Sequence, residues 1–176
     1  MPFMRARQPQ GNIMTNLRKL VLVTSLAALC GLAASAQAAE IERSYAPGST
    51  APIAAGVSVP PGYTTYYISG ALPSPVKPAA NGQPADYGDM ETQTRSVLNN
   101  LKTAMARMGV GFGDVVQAHV YLDPAGDTAT MNRVWSTEFG TAAQPNKPAR
   151  ATVKVNALVA PGTLLEIEFI AAKKAP

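Results

Sequence analysis

Two charged side chains stand out in this sequence by where they fall. Arg150 opens a strand-like run directly after Pro148-Ala149. A guanidinium there presents a planar fork that can hold a carboxylate bidentately. Glu166 lies inside the apolar run Leu164-Leu165-Glu166-Ile167-Glu168-Phe169-Ile170. It shares a strand face with Glu168, because strand side chains repeat every second residue. A carboxylate in such a run needs a partner or water, and one partly withdrawn from water suits proton transfer to or from a water molecule. Spacing alone leaves a second reading open, in which Arg150 and Glu166 form a structural ion pair between neighbouring strands.

Other chemistries have little to work with. His119 is the sole histidine and Cys30 the sole cysteine. A metal site of histidines or thiolates is therefore excluded, and a Ser-His-Asp triad would rest on His119 alone. His119 falls mid-strand beside no strong motif, and reads as a satisfied structural histidine. Gly109-Val110-Gly111-Phe112-Gly113 follows a helical pattern instead of opening one, so the dinucleotide-loop reading fails on context. No cofactor and no metal are expected.

The first residues read as a leader. Arg18-Lys19 precedes the apolar run Leu20–Leu29, and Ala36-Gln37-Ala38 fits a small-residue cleavage rule. That order is a secretory signal peptide over residues 1–38, with the true start near Met14. The run falls short of the about 20 apolar residues a stable span needs, so no membrane span is expected after cleavage. Leu29 before Cys30 argues against lipidation. The expected location is periplasmic or secreted. The leader also carries the charge excess. Arg5, Arg7, Arg18 and Lys19 lie in it with no acidic residue, which leaves eleven basic and eleven acidic side chains after residue 38. A balanced chain without a basic patch gives no support to nucleic-acid binding.

The elements that must position Arg150 and Glu166 follow from periodicity. Residues 39–56 are rich in Ala, Pro, Gly and Ser and read as an extended lead-in; residues 57–176 form one domain. A short strand is predicted at Val57–Val59. A second runs over Thr64–Ile68 and is ended by Ser69-Gly70, where Gly70 invites a close backbone approach. Pro73–Tyr87 is a loop. Met90, Thr94, Val97, Leu98, Leu101, Ala104, Met105 and Met108 share one helical face, with Asp89 and Glu91 at its start and Gly109 at its C-cap. Asp114–Leu122 alternates as a half-buried strand, with Val116, Ala118, Val120 and Leu122 on one face and Val115, Gln117, His119 and Tyr121 on the other. Met131, Val134, Trp135 and Phe139 predict a second helix, capped by Asp127 or Thr128. Strands follow at Ala151–Val155 and Leu164–Ala171. The order β-α-β-α-β-β, with an extra strand in front, is an α+β fold: a mixed sheet with two helices on one face. An apolar uncovered face would imply oligomerisation.

Read together, these pieces resemble the Rid (reactive intermediate deaminase, or YjgF) family. The carriers are Pro148-Ala149-Arg150-Ala151, a β run, Leu158 and then Leu165-Glu166-Ile167. Ser69-Gly70, the helix between Gly88 and Gly109, Gly113-Asp114-Val115-Val116 and Met131-Asn132 add to them, so the resemblance covers roughly 57–171. It implies a chorismate-mutase-like fold, a homotrimer with pockets between subunits, and hydrolysis of small enamines or imines to 2-keto acids and ammonia, as in 2-iminobutanoate/2-iminopropanoate deaminases. It implies that Arg150 clamps the substrate carboxylate and Glu166 positions or activates water. Ser69, Gly70 and Asn132 match pocket-lining positions, and Thr152 falls where many members carry cysteine. Two departures are visible. Asn156 stands at a position usually small or basic, and an ungapped count places Gly56 where deaminase members often carry a tyrosine. The alternative is a non-catalytic trimer of the cell envelope that binds a small carboxylate or another metabolite.

Overall fold

A computed structural model describes residues 39–175; the leader reading lies outside them. The chain enters through two short antiparallel strands, β1 (Glu42–Ser44) and β2 (Gly56–Ser58). Residues 39–56, expected as an extended lead-in, thus hold a strand that the sequence pattern missed. Three residues are too few to show a period. The segment is tied down by tertiary contacts. The Arg43 guanidinium donates to the carbonyls of Val115 and Lys147 at 3.0 and 2.9 Å, and Trp135 Nε1 donates to the Pro52 carbonyl at 2.9 Å.

Four further strands form the main sheet: β3 (Tyr63–Ala71), β4 (Val115–Leu122), β5 (Ala149–Lys154) and β6 (Leu165–Lys174). Their spatial order is β3-β6-β4-β5. β6 runs antiparallel to both β3 and β4, while β4 and β5 are parallel. The parallel pair needs a crossover, supplied by α2 (Thr128–Trp135); α1 (Met90–Arg107) joins β3 to β4. Both helices pack on one face, as expected of this α+β order. Leu165, Ile167, Phe169 and Ala171 of β6 and Ala118, Val120 and Leu122 of β4 meet Val97, Leu98, Leu101 and Met105 of α1 there. Trp135 and Phe139 stack at 4.3 Å, and Phe112 and Phe139 at 5.0 Å, with the Phe169 ring edge-on to all three.

The helix ends behave as their residues dictate. Asp89 accepts from the Thr92 amide at 2.8 Å and Asp127 from the Thr130 amide at 2.8 Å. Gly109 takes φ +71 past the end of α1, and Val110 N–H returns to the Met105 carbonyl, a Schellman closure. Gln93 is buried within α1 and ties it to the approach to β6. Its amide donates to the Gly88 and Gly162 carbonyls at 3.0 and 3.1 Å and accepts from Leu164 N–H at 2.7 Å.

Two strand readings are corrected. Ser69-Gly70 does not end β3: the strand continues to Ala71, with a register shift against β6 between Ile68 and Ala71. Val115, assigned to the face of Gln117 and His119, is fully buried. A second register shift, between Val115 and Gln117, lets Val115 and Val116 both turn inward, as a bulge does. The sheet face away from the helices carries Gln117, His119 and Tyr121 of β4 and Glu166, Glu168 and Ile170 of β6. Tyr67 and Val153 on it are 77% and 49% exposed, so this face is uncovered and partly apolar.

Candidate active site

Arg150 sits on β5, the edge strand, in register with Ala118 of β4. Ala118 is buried against the helices, so Arg150 points to that side, toward α2. There Nη2 donates to Asn132 Oδ1 at 2.6 Å, Nη1 lies 3.9 Å from Met131 Sδ, and the guanidinium carbon lies 4.7 Å from the Trp135 ring centre. Stacking and one oriented hydrogen bond fix the plane of the fork. Burial lowers its pKa, yet a guanidinium keeps its charge at any physiological pH. Among the described residues no carboxylate lies within ion-pair distance of it. Thr152, two residues on, shares its strand face; its Oγ1 is buried without a hydrogen-bond partner among the described residues. Such a hydroxyl is costly to leave unpaired.

Glu166 sits on β6 in register with Tyr121 of β4. Ala118 and Tyr121 are three residues apart on one strand, so their partners Arg150 and Glu166 lie on opposite faces of the sheet. β4 also separates their strands. The structural ion pair left open by the sequence is therefore not formed within the chain.

The carboxylate of Glu166 lies against Gly70 of β3. A Cβ on Gly70 would overlap Glu166 Oε1 and would lie 3.0 Å from Cδ and 3.3 Å from Cγ. Gly70 is absent from the positive-φ residues. A side chain there would meet the neighbouring carboxylate, while the backbone itself would accept one. Ser69 is exposed beside it at the register shift.

The sequence-predicted residues thus fall into two sets. Arg150, Asn132 and Thr152 gather on the helix side of the edge strand; Ser69, Gly70 and Glu166 gather around the uncovered face. Gly56, on β2, pairs with Ser44 of β1 and has open space around it. The pattern reading missed the Met131 and Trp135 contacts behind Arg150, which only the β4-α2-β5 crossover creates. It also missed a polar cluster beside Glu166. Glu168 Oε1 accepts from Tyr121 Oη at 3.1 Å and meets His119 Nδ1 at 2.8 Å, and His119 Nε2 meets Gln117 Nε2 at 2.9 Å. Alternation along β4 already put His119, Tyr121 and Gln117 on one face; that Glu168 shares it follows from the register with β6.

The profile of the family described as Endoribonuclease L-PSP matches residues 43–173. The chain belongs to that family. A RutC family protein of Pyrococcus horikoshii is 41% identical over 87 residues, which are 49% of this chain and 65% of that protein. A protein named 3-aminoacrylate deaminase RutC, from Acinetobacter baylyi, is 32% identical over 124 residues, 70% of this chain and 91% of the relative. Among solved structures, a protein of the conserved Rid family from Yersinia pestis superposes with a TM-score of 0.60 over 77% of this chain and 100% of its own, at 23% identity. That likeness is one of fold. The Rid resemblance and the Rid-type α+β fold expected from the sequence are both borne out.

Proposed function

We propose that this family member hydrolyses small 2-imino acids and their enamines to 2-keto acids and ammonia, in a site shared between two copies of the chain. The observation that carries this reading is Arg150: a half-buried cationic fork, stacked on Trp135, oriented by Asn132, and unpaired with any carboxylate among the described residues. Such a group is prepared for a carboxylate that arrives as a ligand. Thr152 offers an unpaired hydroxyl next to it. The deaminase name of the Acinetobacter relative fits the same chemistry.

The reaction needs a held carboxylate, a placed water and a proton acceptor. Arg150 holds the carboxylate of the imine. With the imine bound as its iminium, Glu166 takes a proton from water as the water oxygen bonds to the imine carbon, and the C=N pair moves to nitrogen to give a neutral amine. Glu166 returns that proton to the amine, the C–N bond breaks with its electrons on nitrogen to release ammonia, and the hydroxyl proton passes to Glu166 as C=O forms and from there to the departing ammonia. No covalent nucleophile, metal or cofactor enters.

Because Arg150 and Glu166 occupy opposite faces of one sheet, a second copy must supply the missing half. A head-to-tail ring, such as the homotrimer implied by the resemblance, would set the β5 edge and Arg150 of one copy against the uncovered face and Glu166 of the next. It would also cover Tyr67 and Val153. Residues 1–38 act as a cleaved signal peptide in this reading, so the trimer works in the periplasm or outside the cell. The mass of the exported protein checks the cleavage. With eleven basic and eleven acidic residues after the leader, the ligand is a small carboxylate rather than RNA, and no salt-dependent RNA binding is expected.

The test generates imino acids in situ and follows their loss. Arg150→Ala should lower kcat/KM by about a hundredfold, the scale of removing one partner of a charged contact. Co-expression of Arg150→Ala with Glu166→Gln should restore activity, because mixed rings rebuild some intact sites. Full activity in Arg150→Ala would overturn the reading, and no complementation would overturn the shared site. Gly56, standing where deaminases often carry a tyrosine, favours a second reading, the non-catalytic carboxylate-binding trimer. Saturable 2-oxobutanoate binding by wild type with no turnover would select it.

A further inference from the structure

The lead-in over residues 43–55, which the hydrolysis above does not use, touches both elements that hold Arg150. Arg43 of β1 spans the upstream ends of the parallel pair. Its Nη1 donates to the carbonyls of Val115 and Lys147 at 3.0 and 2.9 Å, and its Nη2 to that of Gly113 at 3.3 Å. The β4-β5 ladder begins at Gln117 and Ala149. Two residues further back, the same register would set Val115 opposite Lys147. No backbone bond joins them there; Arg43 bonds both carbonyls instead. The guanidinium is thus a rung at the point where the ladder stops. A second contact lies on the outer edge of β5. Ala54 N–H donates to the Pro148 carbonyl at 2.8 Å, and Ala54 bridges Ala149 in parallel. A third lies behind the fork. The Pro52 carbonyl accepts from Trp135 Nε1 at 2.9 Å, and Trp135 is the ring on which Arg150 stacks. Ala55 N–H, bonded to the Ser44 carbonyl at 2.8 Å, ties the two limbs of the lead-in together.

We propose that this lead-in is part of the carboxylate site, and that Arg43 is a positioning residue for Arg150. The proposal rests on Arg150 as the group that holds the carboxylate. Lys147, Pro148 and Ala149 run directly into Arg150, so whatever fixes the Lys147 carbonyl fixes where β5 starts. A strand that enters one residue out of step exchanges its two faces. Arg150 would then turn to the uncovered side and leave Asn132 and Trp135. As the edge strand, β5 pairs only with β4 within the sheet, so few other contacts set its register. A smaller slackening also matters, because a binding constellation must be held within about 0.5 Å of its productive geometry. Arg43 supplies that restraint from the strand entry, and the Pro52 carbonyl supplies it from behind the ring. Arg43 acts through the strand, not on the ligand.

Two measurements on the full untagged chain test it. Titration calorimetry with 2-oxobutanoate reads the clamp. Arg43→Met keeps an apolar stem and removes the fork, and should raise Kd about tenfold, the value of one charge-assisted hydrogen bond lost from the clamp. Arg43→Lys returns a charged donor that reaches fewer carbonyls, and should recover part of that loss. An unchanged Kd in a folded Arg43→Met that merely melts earlier would make Arg43 a stability residue alone and overturn the proposal. The second measurement needs neither ligand nor turnover. Trp135 is the only tryptophan, so its indole N–H gives one NMR signal. Arg150→Ala should shift that signal, and should shift it much less in the Arg43→Met background, where the guanidinium has left the ring. An equal shift in both backgrounds would show Arg150 seated without Arg43 and would overturn the proposal. If wild type binds no 2-oxobutanoate, the carboxylate-site reading falls, and the indole comparison alone decides the positioning. Should Arg43→Met fail to fold, Arg43→Lys takes its place in both measurements, with effects of the same sign and smaller size.

Discussion

Replacing Gly70 by alanine should disable the site while leaving the fold nearly as stable as before. The added methyl would overlap Glu166 Oε1 and crowd Cδ and Cγ at 3.0 and 3.3 Å. Every atom it meets belongs to the flexible end of one side chain, and Gly70 has no positive φ to lose. Glu166 can therefore yield, at the about 0.5–1.5 kcal/mol of an off-rotamer torsion. Alanine returns roughly 0.5–1 kcal/mol by removing glycine's freedom in a strand. The two terms oppose each other, so stability should change by less than about 1 kcal/mol. Activity should not be spared. On the role proposed for Glu166, a displacement of about 1 Å costs on the order of a hundredfold in rate, and Glu166 cannot clear a methyl group with a smaller movement. The comparison is urea denaturation beside kcat/KM for imine loss, in wild type and Gly70→Ala. Equal stability with a large fall in kcat/KM supports the placement of Glu166. Wild-type activity in the variant would refute it, because the carboxylate would then work from a position the structure does not give it.

Gln93→Leu should act on stability instead. The side chain is 1% exposed and serves the Gly88 and Gly162 carbonyls and the Leu164 amide. Leucine leaves those groups unpaired, at about 1–3 kcal/mol for a buried orphan, and the urea midpoint should fall accordingly with an unchanged slope; an unmoved midpoint would show that water replaces the amide. Acid should loosen the helix starts. Hydrogen bonding by the Thr92 backbone amide holds Asp89 below the usual aspartate range, and bonding to Thr130 does the same for Asp127. A depressed folded pKa means this stabilisation is complete above the unfolded aspartate value of about 3.9 and is lost as pH falls through the folded values. Helical circular dichroism at a fixed urea concentration should therefore decline below about pH 4, and the Asp89→Asn, Asp127→Asn double variant should flatten that limb; an unaltered acid limb would place its origin elsewhere.

The sequence alone determined the parts whose information is local. The helical face from Met90 to Met105, the acidic helix starts and the alternation of β4 from Gln117 onward depend on neighbours a few residues away and are found in place, while Met108, expected on that face, is exposed. The Arg150 and Glu166 motifs were legible for the same reason, as short stretches with a known pattern. Where these residues point was not. Strand order and register arise from long-range pairing, and a one-residue change of register exchanges the two faces. Both register shifts, at Val115/Gln117 and at Ile68/Ala71, escaped the reading because a bulge is set by the partner strand as much as by its own residues. Only the order β3-β6-β4-β5 placed Arg150 and Glu166 on opposite faces, stacked the guanidinium on Trp135, set Glu166 against Gly70, and gathered His119, Tyr121 and Glu168. Each of these contacts joins residues far apart in the chain, which no periodicity within one segment can encode.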